Sequence, residues 1–217
     1  DLDTAEALVR QVVRQDPGQA LAWVLMSRVH RFRGEGAQAD STARRAFAAD
    51  PFLSEARRAI ADLVNYSLES GRVAEARALC EETRERYRDD REVPECRLVI
   101  MGWIAAGRDS VEAAWRELRE MERAAVPAAS TSWTMRRMYV AMVAARSRMT
   151  DSAYAIVRRA YAERGPNRAD SVRAAMAEVR IHWLAQDTLL AIRKRDSLLR
   201  ATPSQAARLS SHRWITD

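Results

Sequence analysis

Lysine is all but missing from this chain of 217 residues: Lys194 is the only one, so 35 of the 36 basic residues are arginine. Glycine (7), proline (6) and aromatics (6%) are scarce, and no stretch alternates Val, Ile, Thr and aromatic residues against polar ones. Those absences exclude a sheet-based fold and leave an all-α class rich in Ala, Leu, Arg and Glu. No run of eighteen apolar residues exists, so nothing here spans a membrane as a helix, and the first residues lack a signal-peptide pattern. The chain starts at Asp1 without Met, which predicts a processed product or a piece of something longer.

Catalytic signatures are missing as well. His30, His182 and His212 stand far apart with no metal-ligand partner at i, i+4, and His30 is expected to be a structural ring. There is no glycine-rich phosphate loop, and Gly165-Pro166 reads as a turn. No local motif pairs a nucleophile with a base. The expectation is a non-enzyme with no cofactor and no metal.

The formal charge is +6 and the pI about 10.0, values that raise nucleic acid or an anionic membrane as partners. Thirty acidic residues are interspersed with the arginines, as in Glu81-Glu82-Thr83-Arg84-Glu85-Arg86. Spacing of three or four makes these solvated helix faces with weak intrahelical pairs, and an arginine excess follows equally from high-GC coding. A nucleic-acid partner is therefore not favoured.

What the chain does have is a ladder of alanines, Ala5, Ala39, Ala76, Ala113, Ala153 and Ala191, at intervals of 34, 37, 37, 40 and 38 residues. A period in this range marks stacked helix pairs, in which no unit buries its apolar face alone. The stretch from Ala20 to Pro51 shows one unit. Trp23, Met26 and His30 lie at helical spacing, Gly34 and Gly36 break the helix, and Ala39, Ala43 and Ala46 share one face of a second helix that Asp50-Pro51 stops.

Trp23, Ser27, Gly34, Ala39, Ala46 and Pro51 fall at the spacing of the tetratricopeptide repeat, and the chain resembles that family, strongly in its first third and loosely in its last. The resemblance implies an all-α, right-handed superhelical solenoid of antiparallel helix pairs spanning 1–217. It divides into a half repeat 1–17, repeats at about 20–51, 54–90, 92–126, 130–166 and 168–203, and a partial first helix at 204–217. Arg148 stands where the family expects glycine. Pentatricopeptide repeats, which bind single-stranded RNA, are the rival, but they lack the Trp-to-small spacing and the Asp-Pro stop.

In such solenoids the first helices line the concave surface. Family spacing places there Val24, Arg28, Arg31, Arg58, Asn65, Glu69, Arg97, Met101, Met138, Tyr139, Met142, Arg173, Met176, Arg180 and Trp183. From these, the partner-binding set is Arg28, Arg31, Arg58, Asn65, Arg97, Met138, Met142, Arg173, Met176, Arg180 and Trp183. Arginines bind carboxylates through several donors and methionines adapt to apolar shapes, so the expected partner is a protein or peptide with acidic residues flanking apolar anchors. The alternatives for Met138 and Met142 are core packing, and for the whole chain a nucleic-acid-binding repeat or a spacer or oligomerisation module. Some family members clamp a peptide's C-terminal carboxylate, but Ala61 and Leu98 stand where polar clamp residues are needed. The general character also resembles repeat regions appended to bacterial multidomain signalling proteins, including serine/threonine kinases and transcriptional activators.

Cys80 and Cys96 fall on neighbouring helices, the second of one unit and the first of the next. A bridge between them would close a loop of about sixteen residues, contribute about 3 kcal/mol, and favour an extracytoplasmic setting. Two buried thiols are the alternative; no other residue indicates cytoplasmic or extracytoplasmic location.

Overall fold

In a computed structural model of the chain, residues 1–52, 54–87, 95–124, 131–162 and 168–201 are described, and every regular element among them is an α-helix. The helices are α1 (Leu2–Gln15), α2 (Ala20–Phe32), α3 (Gly36–Ala49), α4 (Ser54–Glu69), α5 (Val73–Arg86), α6 (Glu95–Ile104), α7 (Arg108–Ala124), α8 (Thr131–Arg146), α9 (Thr150–Ala162), α10 (Arg168–Leu184) and α11 (Thr188–Ala201). They form two compact units, α1–α5 and α6–α11, each considered on its own below. The segment 204–217 with His212, and the Gly165-Pro166 turn, lie outside the described residues.

One corner recurs between the two helices of a pair. Gly34, Gly71, Arg148 and Gln186 all adopt left-handed φ (75°, 71°, 59° and 66°), each five residues before an alanine of the ladder. The hydrogen bonds follow suit. Gly34 N donates to Arg31 O and Glu35 N to His30 O; Gly71 N to Leu68 O and Arg72 N to Ser67 O; Arg148 N to Ala145 O and Met149 N to Ala144 O; Gln186 N to Trp183 O and Asp187 N to His182 O, all at 2.7–3.1 Å. This is the Schellman ending, which satisfies the last carbonyls of the first helix. The next residue caps the second helix, so the chain reverses with almost no loop. Arginine thus takes the family's glycine position at 148 in the same backbone conformation. A Cβ at Gly71 would meet nothing within 4 Å, so Gly71→Ala isolates the cost of the left-handed backbone. Urea unfolding should show a loss of about 1 kcal/mol.

The alanines are small because helices approach closely there. Ala39, Ala76 and Ala153 are wholly buried and Ala191 nearly so, and the buried Ser27 hydroxyl donates to Ala39 O at 2.9 Å, tying α2 to α3. In α7 the buried rung is Ala114, with Val111, Leu118 and Met121 along the same stripe, whereas Ala113 is only half-buried. The corner at Gly107 (φ 101°) explains the shift: it leads into α7 without the Schellman pair, and Val111 N bonds Gly107 O. The helix starts in a different register. Ala5 is half-buried beside buried Glu6.

Polar contacts link successive corners within each unit. In the first unit, Arg33 pairs with Asp3 and Glu6 of α1. Arg72 meets Asp40 (2.9 Å) and Glu75 (3.1 Å), and Arg44 meets the same two carboxylates at 3.1 and 2.5 Å, a four-membered net between α3 and the start of α5. In the second unit, Gly107 N donates to Ser147 Oγ (2.9 Å) and the Arg148 guanidinium to Gln186 Oε1 (2.8 Å).

Candidate functional site

The first helices pack on one another as well as on their second helices: α2 on α4 in the first unit, and α6 and α10 on either side of α8 in the second. Their remaining face is where a partner could be met. The two units differ there.

In the second unit α8 sits between flanking helices and is buried without interruption from Tyr139 to Ala145. The stretch 138–145, MYVAMVAA, is apolar all round, as such a position requires. Arg180 of α10 lays its guanidinium 4.6 Å from the ring centre of Trp103 on α6, so the two helices that flank α8 also touch each other through side chains. Such a cation–π contact contributes about 0.5–1 kcal/mol when exposed and more when desolvated. Met142 is only 1% exposed, and Tyr139 is buried too. Neither presents a surface to a partner, because packing from both sides closes over the face that repeat spacing leaves open. Met138, Met176, Arg180 and Trp183 are half-buried, and Arg97 is exposed on α6.

In the first unit the picture reverses. Val24 is buried, but Arg28 and Arg31 are exposed. With them, Leu21 (41%), Leu25 (39%) and Phe32 (52%) form an apolar stripe along α2 at i, i+4 and i+11. This stripe was not anticipated from sequence, although its helical spacing is readable once Val24 is assigned to the core. Asn65 is half-buried and Glu69 exposed on α4. The side chains of Arg58 and Arg173 lie outside the described residues. Cys80 on α5 and Cys96 on α6 are both buried.

Two histidines occupy equivalent corners, a relation visible in the sequence as His followed five residues later by an acid. Buried His30 directs Nδ1 at Glu35 Oε2, 2.5 Å away, and is the structural ring expected. Buried His182 faces Asp187 Oδ2 at 3.7 Å through Nδ1 and bonds Tyr154 Oη through Nε2, the rings 5.0 Å apart. Lys194 of α11 pairs with Glu178 (2.7 Å) and lies 5.6 Å from the Tyr154 ring. Burial and the Lys194 charge hold His182 below the ordinary imidazole range against the opposing Asp187 and Glu178, while burial and the carboxylates push the Tyr154 hydroxyl upward. Both groups are thus neutral at pH 7 and pin α9, α10 and α11 together.

The stability consequence has a definite sign. A histidine whose folded pKa lies below its unfolded value stabilises fully above the unfolded pKa, about 6.5. That contribution fades as pH falls through this value towards the folded one. Melting of the native chain should fall more steeply between pH 7 and 5 than that of His182→Gln; identical slopes would refute the assignment.

Among the described residues no three His, Cys, Asp or Glu side chains are placed to hold a metal ion, and no helix is long and apolar enough to cross a membrane. A shallow cleft beside His30 is lined by Ala37, Gln38, Ser41, Thr42 and Arg45, with the Arg45 guanidinium 4.8 Å from the Trp23 ring centre.

No protein-family model matches the sequence, and no curated protein does. Among solved structures, the chain is similar to PilF of Pseudomonas aeruginosa, a tetratricopeptide-repeat protein, with a TM-score of 0.51 and 18% identity over 95% of this chain and 86% of that one. At that identity the likeness concerns the fold, and it supports a tetratricopeptide-like helical repeat.

Proposed function

We propose that the chain is a protein-interaction module that holds a peptide or protein against the exposed faces of its first helices and performs no chemistry itself. The observation that carries this reading is the exposed face of α2, where arginines and large apolar side chains stand together on a fold of the tetratricopeptide type. Of the residues assigned to partner contact, Arg28, Arg31, Asn65, Arg97, Met138, Met176, Arg180 and Trp183 have described, at least partly accessible side chains, and Arg58 and Arg173 remain in the proposal on sequence grounds. Scaffolding or sensing within a larger signalling protein belongs to the same proposal, as does the continuous solenoid over 1–217.

Affinity capture with the full chain, followed by mass spectrometry and direct binding of the named partner, tests this. A partner whose binding is weakened by Arg28→Glu supports it. Steep, salt-dependent binding of RNA or DNA with no protein bound would replace it with the nucleic-acid alternative. A spacer would bind neither. The Cys80–Cys96 bridge is likewise proposed, and alkylation before and after reduction reads it out: two cysteines blocked only after reduction support it, and two blocked beforehand remove it.

A further inference from the structure

We infer that partner binding is confined to the α2 face of the first unit, and that its occupant is an amphipathic helix with an apolar seam flanked by carboxylates. This rests on the interaction-module reading and narrows it. Leu21, Leu25 and Phe32 occupy one line on α2, with Arg28 continuing that line and Arg31 beside it. The seam spans roughly 16 Å at 1.5 Å per residue, about three helical turns, which suits the i, i+4 anchors of a docked helix. Charge selects the occupant. The sequence of α2, ALAWVLMSRVHRF, contains no acidic residue, so the exposed face offers only apolar surface and guanidinium groups.

The corresponding face of the second unit is more enclosed, with Met142 buried and Met138, Met176, Arg180 and Trp183 half-buried. Two first helices flank α8, and Arg180 reaches from one to the other. In the first unit α2 has a single first-helix neighbour, α4, and its outer line stays open. Leu189, at 73% the most exposed large apolar residue among the described residues, lies on α11, where Asp196 follows it at i+7 as Arg28 follows Leu21; a carboxylate in that line makes it a control.

The test uses the full chain and three fluorescein-labelled helical peptides with a common leucine seam: one with Glu flanks, one with Lys flanks, and one with the seam changed to Ser. Anisotropy should show binding of the Glu peptide alone, weakened about tenfold or more by Leu25→Asp and by Arg28→Glu and unchanged by Leu189→Asp. Arg28→Glu should also gain affinity for the Lys peptide. Preference for the Lys peptide, or equal binding of all three, overturns the inference while leaving the interaction module intact. So does loss on Leu189→Asp but not on Leu25→Asp. A concentration-dependent dimer dissolved by Leu25→Asp would make a second copy the occupant, and salt-sensitive oligonucleotide binding lost in Arg28→Glu would make it a nucleic acid; either overturns it. If no peptide binds, the inference falls, and the broader reading is judged by affinity capture.

Discussion

Met142→Ala lowers the stability of the second unit by about 2–5 kcal/mol, the range for emptying a fully enclosed site in a packed core. Met142 is 1% exposed and lies in a stretch of α8 that is buried on every side. Removing its thioether leaves a void that the helices packed on α8 can fill only by moving. Thermal and urea melts followed by circular dichroism measure the effect. A melting point within about a degree of the native one, with peptide binding reduced, would place Met142 on an open surface instead. The same reasoning bars Met142→Ala as a probe of partner binding, since lost capture would report a loosened core.

Gly102→Ala should cost about 1–3 kcal/mol, although alanine is the better helix former. A Cβ on Gly102 would stand 3.0 Å from Tyr139 Cδ1, 3.1 Å from its Cβ and 3.3 Å from its Cα. The last of these is backbone, so rotating the tyrosine does not clear the way, and α6 must withdraw from α8. Gly36→Ala is the matched control: nothing lies within 4 Å of its Cβ, and stability should hold or rise slightly. Equal effects at both positions would mean that α6 and α8 are not in close contact.

The all-helical class was legible because a pair of helices needs small residues where it crosses, and Ala39, Ala76, Ala153 and Ala191 recur at a spacing only stacked pairs produce. The fourth rung was misread by one residue, Ala113 for Ala114, because the corner at Gly107 alters the register of α7. That depends on backbone geometry rather than composition. Arg148 was noticed as a departure from glycine; that it and Gln186 would nonetheless take left-handed backbone is a tertiary effect, since local preference runs against it.

The partner face was less legible. Family spacing assigns a residue to a side of its helix, but whether that side is open depends on what stands next to the helix. Val24 and Met142 fall on the face that family spacing assigns to a partner and are buried by neighbours; Leu21, Leu25 and Phe32, which that spacing does not assign there, are exposed. Lys194 illustrates the same limit. Its solitude was plain from the sequence, but its place beside Glu178 and Tyr154 was not.

The enclosure of α8 also sets an order for building the protein. A chain is made from its N-terminus, so the apolar run from Tyr139 to Ala145 leaves the ribosome before α10 exists, and until then the side that α10 covers is open hydrophobic surface even though α6, α7 and α9 pack on the rest. Repeat proteins are often pictured as growing one finished layer at a time. Here the middle layer is finished by the one after it, so truncations that end after α9 should be recovered as aggregates while those that include α10 stay in solution.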